Sequence, residues 1–208
     1  MGKVIMSGIV PRLARPGGLP ARYTPLTYIE STGTQYVDTE FYPDQDTRIV
    51  MDVHATSGAS SSWVFGGRTS NASATMGVFW YTNNSAWNAD YNGNTQRYAF
   101  STSLGALTRL KIDYNKNILT INDLTKTFVA ATFQSSGPLA LLAVNTAGTI
   151  SGQISAKLYS CQIYDNGTLV RDYEPCVNPD GEIGLYDKAN KKFYGNAGTG
   201  VFIGSEVA

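Results

Sequence analysis

The chain has 208 residues, equal numbers of acidic and basic side chains, and only 15% charged residues. A net charge of zero provides no basic field to attract nucleic acid or an anionic membrane surface, so neither is expected as a partner. No stretch approaches the roughly 18 consecutive apolar residues of a membrane-spanning helix. One all-β domain often reaches this length undivided.

The first 22 residues differ in composition from the rest. Their prolines and a Gly17-Gly18 pair break any helix or long strand. The apolar run 4–10 is interrupted by Ser7 and Gly8 and lacks the cleavage site of a secretory signal, so a targeting role is not expected. We predict an extended arm or anchor over 1–22 and a domain over 23–208. The arm is either a floppy terminus or a segment that orders on another protein. Its charges are all positive, and are Lys3, Arg12, Arg15 and Arg22.

From Tyr23 onward, side chains alternate between apolar and polar, and turn residues recur at short intervals. Ile49, Met51, Val53 and Ala55, for example, share one face of a predicted strand. The nearly continuous apolar run 138–145 predicts a central strand covered on both faces. No stretch shows helical periodicity, so a two-sheet antiparallel sandwich is predicted. The predicted strands after Tyr23 are 36–41, 48–55, 63–67, 76–81, 87–91, 96–101, 107–114, 118–122, 126–130, 138–145, 153–164, 169–173, 182–186, 191–194 and 200–204.

The two cysteines are predicted to be reduced. Asn166-Gly167 is a two-residue hairpin signal, and counting outward from it places Cys161 opposite Asp172. Cys176 then lies about 13 Å further along the strand. A disulfide requires Cα atoms within about 7 Å, so we expect free thiols and synthesis in a reducing cytosol.

Two segments resemble the concanavalin A-like lectin and glucanase family, in its laminin-G-like branch. The first is the run Tyr-Ile-Glu-Ser-Thr-Gly-Thr-Gln-Tyr-Val-Asp-Thr at 28–39. The second extends over 157–164, 169–176, 184–187 and 193–194. The resemblance covers about 23–204, is weakest over 55–105, and excludes the arm. It implies an all-β jelly-roll sandwich with a recognition or adhesive role, as in phage structural and bacterial surface proteins.

Glucanases of this family carry Glu-x-Asp-x-x-Glu on one strand, which places carboxylates on the same side of a cleft. None of the five glutamates stands in that arrangement, so hydrolysis is not expected unless distant strands assemble the pair. His54 is the one histidine in the sequence, and a nucleophilic triad would need it. No catalytic residue is therefore assigned.

Asp44 and Asp46 form a weak calcium candidate, since calcium prefers several oxygen ligands and the resemblance implies occasional calcium at the sandwich rim. The alternative is a turn that these aspartates stabilise through side-chain hydrogen bonds. No other cofactor is expected.

The stretch 79–94 is rich in aromatic and amide side chains, a composition that suits sugar or protein contacts. Alternation places Phe79 and Tyr81 on one face and Trp80 on the other, so the alternative is that half of the rings point into the core. The candidate glycan- or protein-binding residues are Trp80, Tyr81, Trp87, Asn88, Asp90 and Tyr91, with Trp63 and Arg68 on the same rim.

Three functions are compatible with these features. The favoured one is a non-catalytic bacteriophage virion protein, on head or tail, whose arm pairs with other virion proteins by strand addition and whose jelly roll adheres to glycans. The first alternative is a carbohydrate-binding module of a bacterial surface or secreted protein. The second is a glycoside hydrolase. The oligomeric state is left open.

Overall fold

Antiparallel strands dominate the structure, a computed structural model that describes residues 18–57, 61–100 and 104–206. They form two sheets, which confirms the predicted all-β sandwich. The larger sheet contains β1 (Thr24–Thr32), β3 (Thr47–Ala55), β8 (Arg109–Asn115), β9 (Ile118–Ile121), β10 (Leu124–Thr127), β14 (Ser155–Asp165), β15 (Thr168–Val177), β16 (Ile183–Asp187), β17 (Lys192–Tyr194) and β18 (Ile203–Glu206). The smaller sheet contains β2 (Val37–Asp38), β4 (Ser62–Ser70), β5 (Ser73–Tyr81), β6 (Ala86–Tyr91), β7 (Tyr98–Ala99), β11 (Ala140–Leu141), β12 (Val144–Thr146) and β13 (Thr149–Ser151).

Each sheet has a simple strand order. The larger sheet runs β10-β9-β8-β3-β14-β1-β15-β16-β17, with β18 also paired to β1. The smaller sheet runs β13-β12-β4-β5-β6-β7, with β11 between β2 and β4. Among the described strands, the pairs are antiparallel except for β12 with β4, which is parallel. The described part of the chain contains one helical segment, the 3₁₀ turn Asn94–Gln96, which is too short and polar to span a membrane.

The main core lies between the sheets, because its buried residues come from both of them. Strand β3 shows why the sequence folds this way. Ile49, Met51, Val53 and Ala55 are at most 2% exposed, while the residues between them are half-buried. This period-2 pattern was predicted, and it fixes which face of the larger sheet is covered.

The apolar run 138–145 differs from the prediction of one continuous strand. Residues 139–145 are all buried, as expected. The strand is interrupted at Leu142, however, because this residue has a left-handed φ of 65°. The break yields two short strands, β11 antiparallel to β4 and β12 parallel to it. Left-handed backbone at Glu40 (φ 57°) likewise ends β2 early, so that 36–41 is mostly not strand.

Both cysteines are free, as predicted, and both are buried. The predicted register around them is wrong by one residue, because a bulge between Ile163 and Tyr164 places Cys161 opposite Tyr173. Burial raises the pKa of Cys176 to about 12 and raises that of Cys161 still further.

The predicted arm lies mostly outside the described residues, which begin at Gly18. A turn in which the Tyr23 amide donates to the Pro20 carbonyl at 2.9 Å precedes the first strand at Thr24. The domain boundary at 22/23 stays a prediction.

Candidate ligand-binding face

The eight candidate ligand-binding residues lie on two opposite faces of the smaller sheet. Residues opposite each other on paired strands point to the same face, as do residues two apart on one strand. Phe79 is opposite both Trp63 and Asn88, and Gly77 is opposite Asp90. Five candidates therefore share the outer face, turned away from the larger sheet: Trp63, Arg68, Tyr81, Asn88 and Asp90.

The other three candidates, Trp80, Trp87 and Tyr91, lie in the main core. Trp80 and Trp87 contact each other edge to face, with ring centres 5.5 Å apart. The Trp87 indole donates to the Gly105 carbonyl at 3.1 Å, and Tyr91 packs against Phe128. These three rings therefore pack in the core, which is the alternative that the sequence left open.

The outer face carries its own apolar cluster, separate from the core. Trp63 and Phe79 stack with ring centres 4.3 Å apart and planes 22° apart. The indole fits because its floor is glycine: a Cβ on Gly66 or Gly77 would lie 2.7 Å or 2.6 Å from a Trp63 ring carbon. With the polar side chains around it, we call this group the outer cluster, formed by Trp63, Phe79, Tyr81, Arg68, Arg97 and Asp90.

A salt bridge holds Arg97 over the aromatic rings. Its Nε and Nη2 each donate at 2.7 Å to one oxygen of Asp90, whose side chain has no exposed surface. The guanidinium carbon lies 4.8 Å from the centre of the Phe79 ring and 5.9 Å from that of Tyr81. The hydrogen bonds that Arg97 donates to Asp90 raise the pKa of Arg97. Arg97 is therefore fixed by charge on one side and by ring contacts on the other.

Arg68 covers the neighbouring indole. Its guanidinium carbon lies 5.1 Å from the Trp63 ring centre, and its Nε donates to Thr146 Oγ1 at 2.7 Å. Burial lowers the pKa of Arg68; Asp90 opposes this shift and Arg97 adds to it. Arg68 and Arg97 each carry a positive charge, and Asp90 carries a negative one. The net charge of the outer cluster is therefore +1.

Asn88 contributes structure more than a free binding group. Its amide exchanges two hydrogen bonds with Asn84, each at 3.1 Å, and also donates to the Ala86 carbonyl at 2.8 Å. Both of its amide atoms are engaged by the protein, so it braces the loop between β5 and β6.

Two members of the outer cluster, Phe79 and Arg97, were not among the residues predicted from the sequence. Phe79 could have been found, because alternation places it beside Tyr81 and the polar residues of β6. Arg97 could not, because it meets Asp90 through the 3₁₀ turn at 94–96, whose geometry leaves no spacing signal.

The segment 44–46 forms a turn that its aspartates stabilise through side-chain hydrogen bonds, which was the alternative to a calcium site. Asp44 Oδ1 accepts from the Asp46 amide at 2.8 Å and from Thr47 Oγ1 at 3.2 Å. Asp46 pairs with Lys116 at 2.8 Å, and that hydrogen bond lowers the pKa of Asp46. Within the described ranges, no group of three or more His, Cys, Asp or Glu side chains is placed to hold a metal. Calcium binding here stays an untested prediction.

Several pairs of acidic residues are two apart in the sequence, and one of them is Asp38 with Glu40 at the end of β2. Asp38 Oδ1 accepts from the Glu40 amide at 2.9 Å, and Glu40 is bound by Lys192 at 2.6 Å. That hydrogen bond lowers the pKa of Glu40, whereas a general acid needs a raised pKa.

A concavity of about 270 Å³ lies at one end of the larger sheet. Its cations have partners: Arg48 binds Asp113 at 2.7 Å and Lys116 binds Asp46 at 2.8 Å. The cleft is lined by Asp46, Arg48, Asn115, Lys116, Tyr164, Asn166 and Gly167.

Comparison of the chain with family models, with curated proteins and with solved structures gives no significant match.

Proposed function

We propose that this chain is a non-catalytic recognition domain of the concanavalin A-like, laminin-G-like class, displayed on a bacteriophage particle and adhering to glycans. The observation that carries the adhesive part is the outer cluster. Arginine and tyrosine side chains form a fixed polar surface on a sheet face that the larger sheet does not cover. Arginine and aromatic residues are the types that most often dominate binding at protein surfaces.

The state of Asp90 favours binding over catalysis. Both carboxylate oxygens are held by Arg97, and the side chain is fully buried beneath it. A general base must reach the substrate's proton, and a nucleophilic carboxylate must reach the anomeric carbon. Asp90 in this arrangement positions Arg97 instead.

Tyr81 offers the first test of adhesion. We expect wild-type protein to bind members of a glycan array, and Tyr81→Ala to lower the affinity about three- to tenfold, because a half-exposed ring is lost from the outer cluster. The matched control is Tyr159→Ala, which removes a half-buried ring from the outer face of the larger sheet. An array with no bound glycan, or equal effects of the two substitutions, would argue against a glycan site here.

The virion setting rests on the resemblance and on the predicted arm, and it needs its own experiment. Mass spectrometry of purified particles from the native source is expected to detect this chain, and a chain lacking 1–22 is expected to be lost from them. Detection on bacterial envelopes but not on particles would favour the alternative, a surface carbohydrate-binding module with the same outer cluster.

A further inference from the structure

The open hydrogen-bonding groups of the outer cluster are donors. Among the described residues, Thr146 is the one hydrogen-bond acceptor of Arg68, and it occupies Nε. Within the described part of the chain, the two terminal nitrogens of Arg68 have no hydrogen-bond partner, and neither has the Trp63 indole nitrogen; none of the three atoms is fully buried. These groups can donate but cannot accept. A ligand that satisfies them must present acceptors.

The guanidinium planes, and not the indole face, form the accessible surface. Trp63 is 4% exposed and Phe79 is 2% exposed, because Arg68 and Arg97 lie over them. A sugar therefore meets arginine before it meets the buried rings. The rings act as a platform that holds the guanidinium groups in place.

Charge adds to this geometry. Asp90 is occupied by Arg97, while Arg68 is flanked by a second cation and is partly removed from water. Arginine stays protonated in proteins, so Arg68 keeps its charge. An oxyanion beside Arg68 would compensate that charge, and the planar fork matches two oxygens of one acidic group.

We propose that the outer cluster binds an acidic saccharide, whose carboxylate, sulfate or phosphate group is received by the terminal nitrogens of Arg68. This inference rests on the proposed glycan-binding function and specifies its ligand class.

The experiment is calorimetric titration of the full chain with oligosaccharides that carry a carboxylate, a sulfate or a phosphate. Each is paired with an uncharged saccharide of the same backbone. We expect at least one charged member to bind about tenfold or more tightly than its neutral counterpart, because hydrogen bonds to charged groups are the strong ones. The charged group that gives this difference identifies the source of the oxyanion.

Substitutions assign the effect to Arg68. Arg68→Gln is expected to abolish most of the charged-over-neutral difference, and Arg68→Lys to restore part of it, because lysine keeps the charge without the fork. Arg109→Gln on the larger sheet is the control and should leave the difference unchanged. Circular dichroism verifies folding. Should Arg68→Gln fail to fold, wild-type binding measured at about 50 mM and about 500 mM salt tests the same claim, and affinity for the charged member must fall.

Each other outcome overturns the inference in a distinguishable way. Equal affinity for charged and neutral saccharides would contradict the preference for an acidic ligand but would leave the proposed glycan-binding function in place. A charged-over-neutral difference that survives in Arg68→Gln removes Arg68 as the receiving group. If polyglutamate binds as tightly as the acidic saccharides, the site recognises negative charge and the claim that its ligand is a saccharide fails. Absence of binding to any saccharide overturns both proposals.

Discussion

The two outer faces of the sandwich contain similar components in different states. On the larger sheet, Arg109 lies 3.6 Å from the centre of the Tyr159 ring and donates to both oxygens of Asp52 at 2.7 and 2.8 Å. Lys111 binds the same carboxylate. On the smaller sheet, Arg97 repeats this motif with Asp90 and its rings.

Burial and pairing separate the two faces. Asp52 keeps 13% of its side chain exposed and receives both neighbouring cations, whereas Asp90 has no exposed surface and receives one. The second cation of the smaller sheet, Arg68, has no salt bridge in the described part of the chain. The same residue types therefore form a surface on the larger sheet in which the cations are paired. On the smaller sheet they leave hydrogen-bond donors of Arg68 without partners in the described residues.

The largest expected effect comes from removing the arginine of each pair. Arg97→Gln should lower the free energy of unfolding by about 3 kcal/mol, because it leaves a buried carboxylate without its counter-charge. Arg109→Gln should cost about 1 kcal/mol or less, because Asp52 is partly exposed and retains Lys111. Urea denaturation of both variants measures the difference, and equal losses would mean that the burial of Asp90 has no energetic consequence.

A smaller effect is expected at the glycine floor beneath Trp63; among the described glycines, none has Tyr159 as a nearest neighbour. Gly77→Ala places a Cβ 2.6 Å from the Trp63 ring and 2.7 Å from the Phe65 carbonyl oxygen, so the indole must move. We expect a loss of about 1–3 kcal/mol in stability together with weaker ligand binding.

Gly105→Ala is the control for this substitution, since the nearest atom to its Cβ would be 3.8 Å away. Thermal unfolding of the two variants should show a lower Tm for Gly77→Ala. An unchanged Tm in both would show that the indole has room to shift.

The smallest effect is the pH dependence contributed by Asp52. Burial alone would raise its pKa, but hydrogen bonds from Arg109 and Lys111 lower it below the usual 3.8. A lowered folded-state pKa adds stability that is present above the unfolded pKa and is lost as pH falls toward the folded one. Between about pH 5 and pH 2, wild type should therefore lose more unfolding free energy than Asp52→Asn. Parallel acid titration curves would contradict this.

Local patterning predicted the fold better than it predicted the candidate site. Alternation identified the buried face of β3, and the strands predicted at 76–81 and 87–91 are present as β5 and β6, with Trp80 opposite Trp87. The same alternation separated Tyr81 from Trp80, and so anticipated that the aromatic stretch would divide between two faces.

The missed features depend on backbone irregularities that the residue pattern does not encode. A bulge between Trp63 and Phe65 shifts the register of β4, and this shift sets which side chain stands opposite Phe79. Arg97 reaches Asp90 only after a turn without side-chain periodicity. Contacts of this kind arise from tertiary packing, so a single sequence gives no spacing by which to find them.

The break at Leu142 bears on how the outer cluster would receive a ligand. Because the chain reverses there, one short segment borders β4 twice, while β5 borders its other edge. The strand that carries Trp63 and Arg68 is thus an interior strand of the sheet, with main-chain partners on both sides. Its backbone is already ordered before any ligand arrives, so association need not expend binding energy on arranging it.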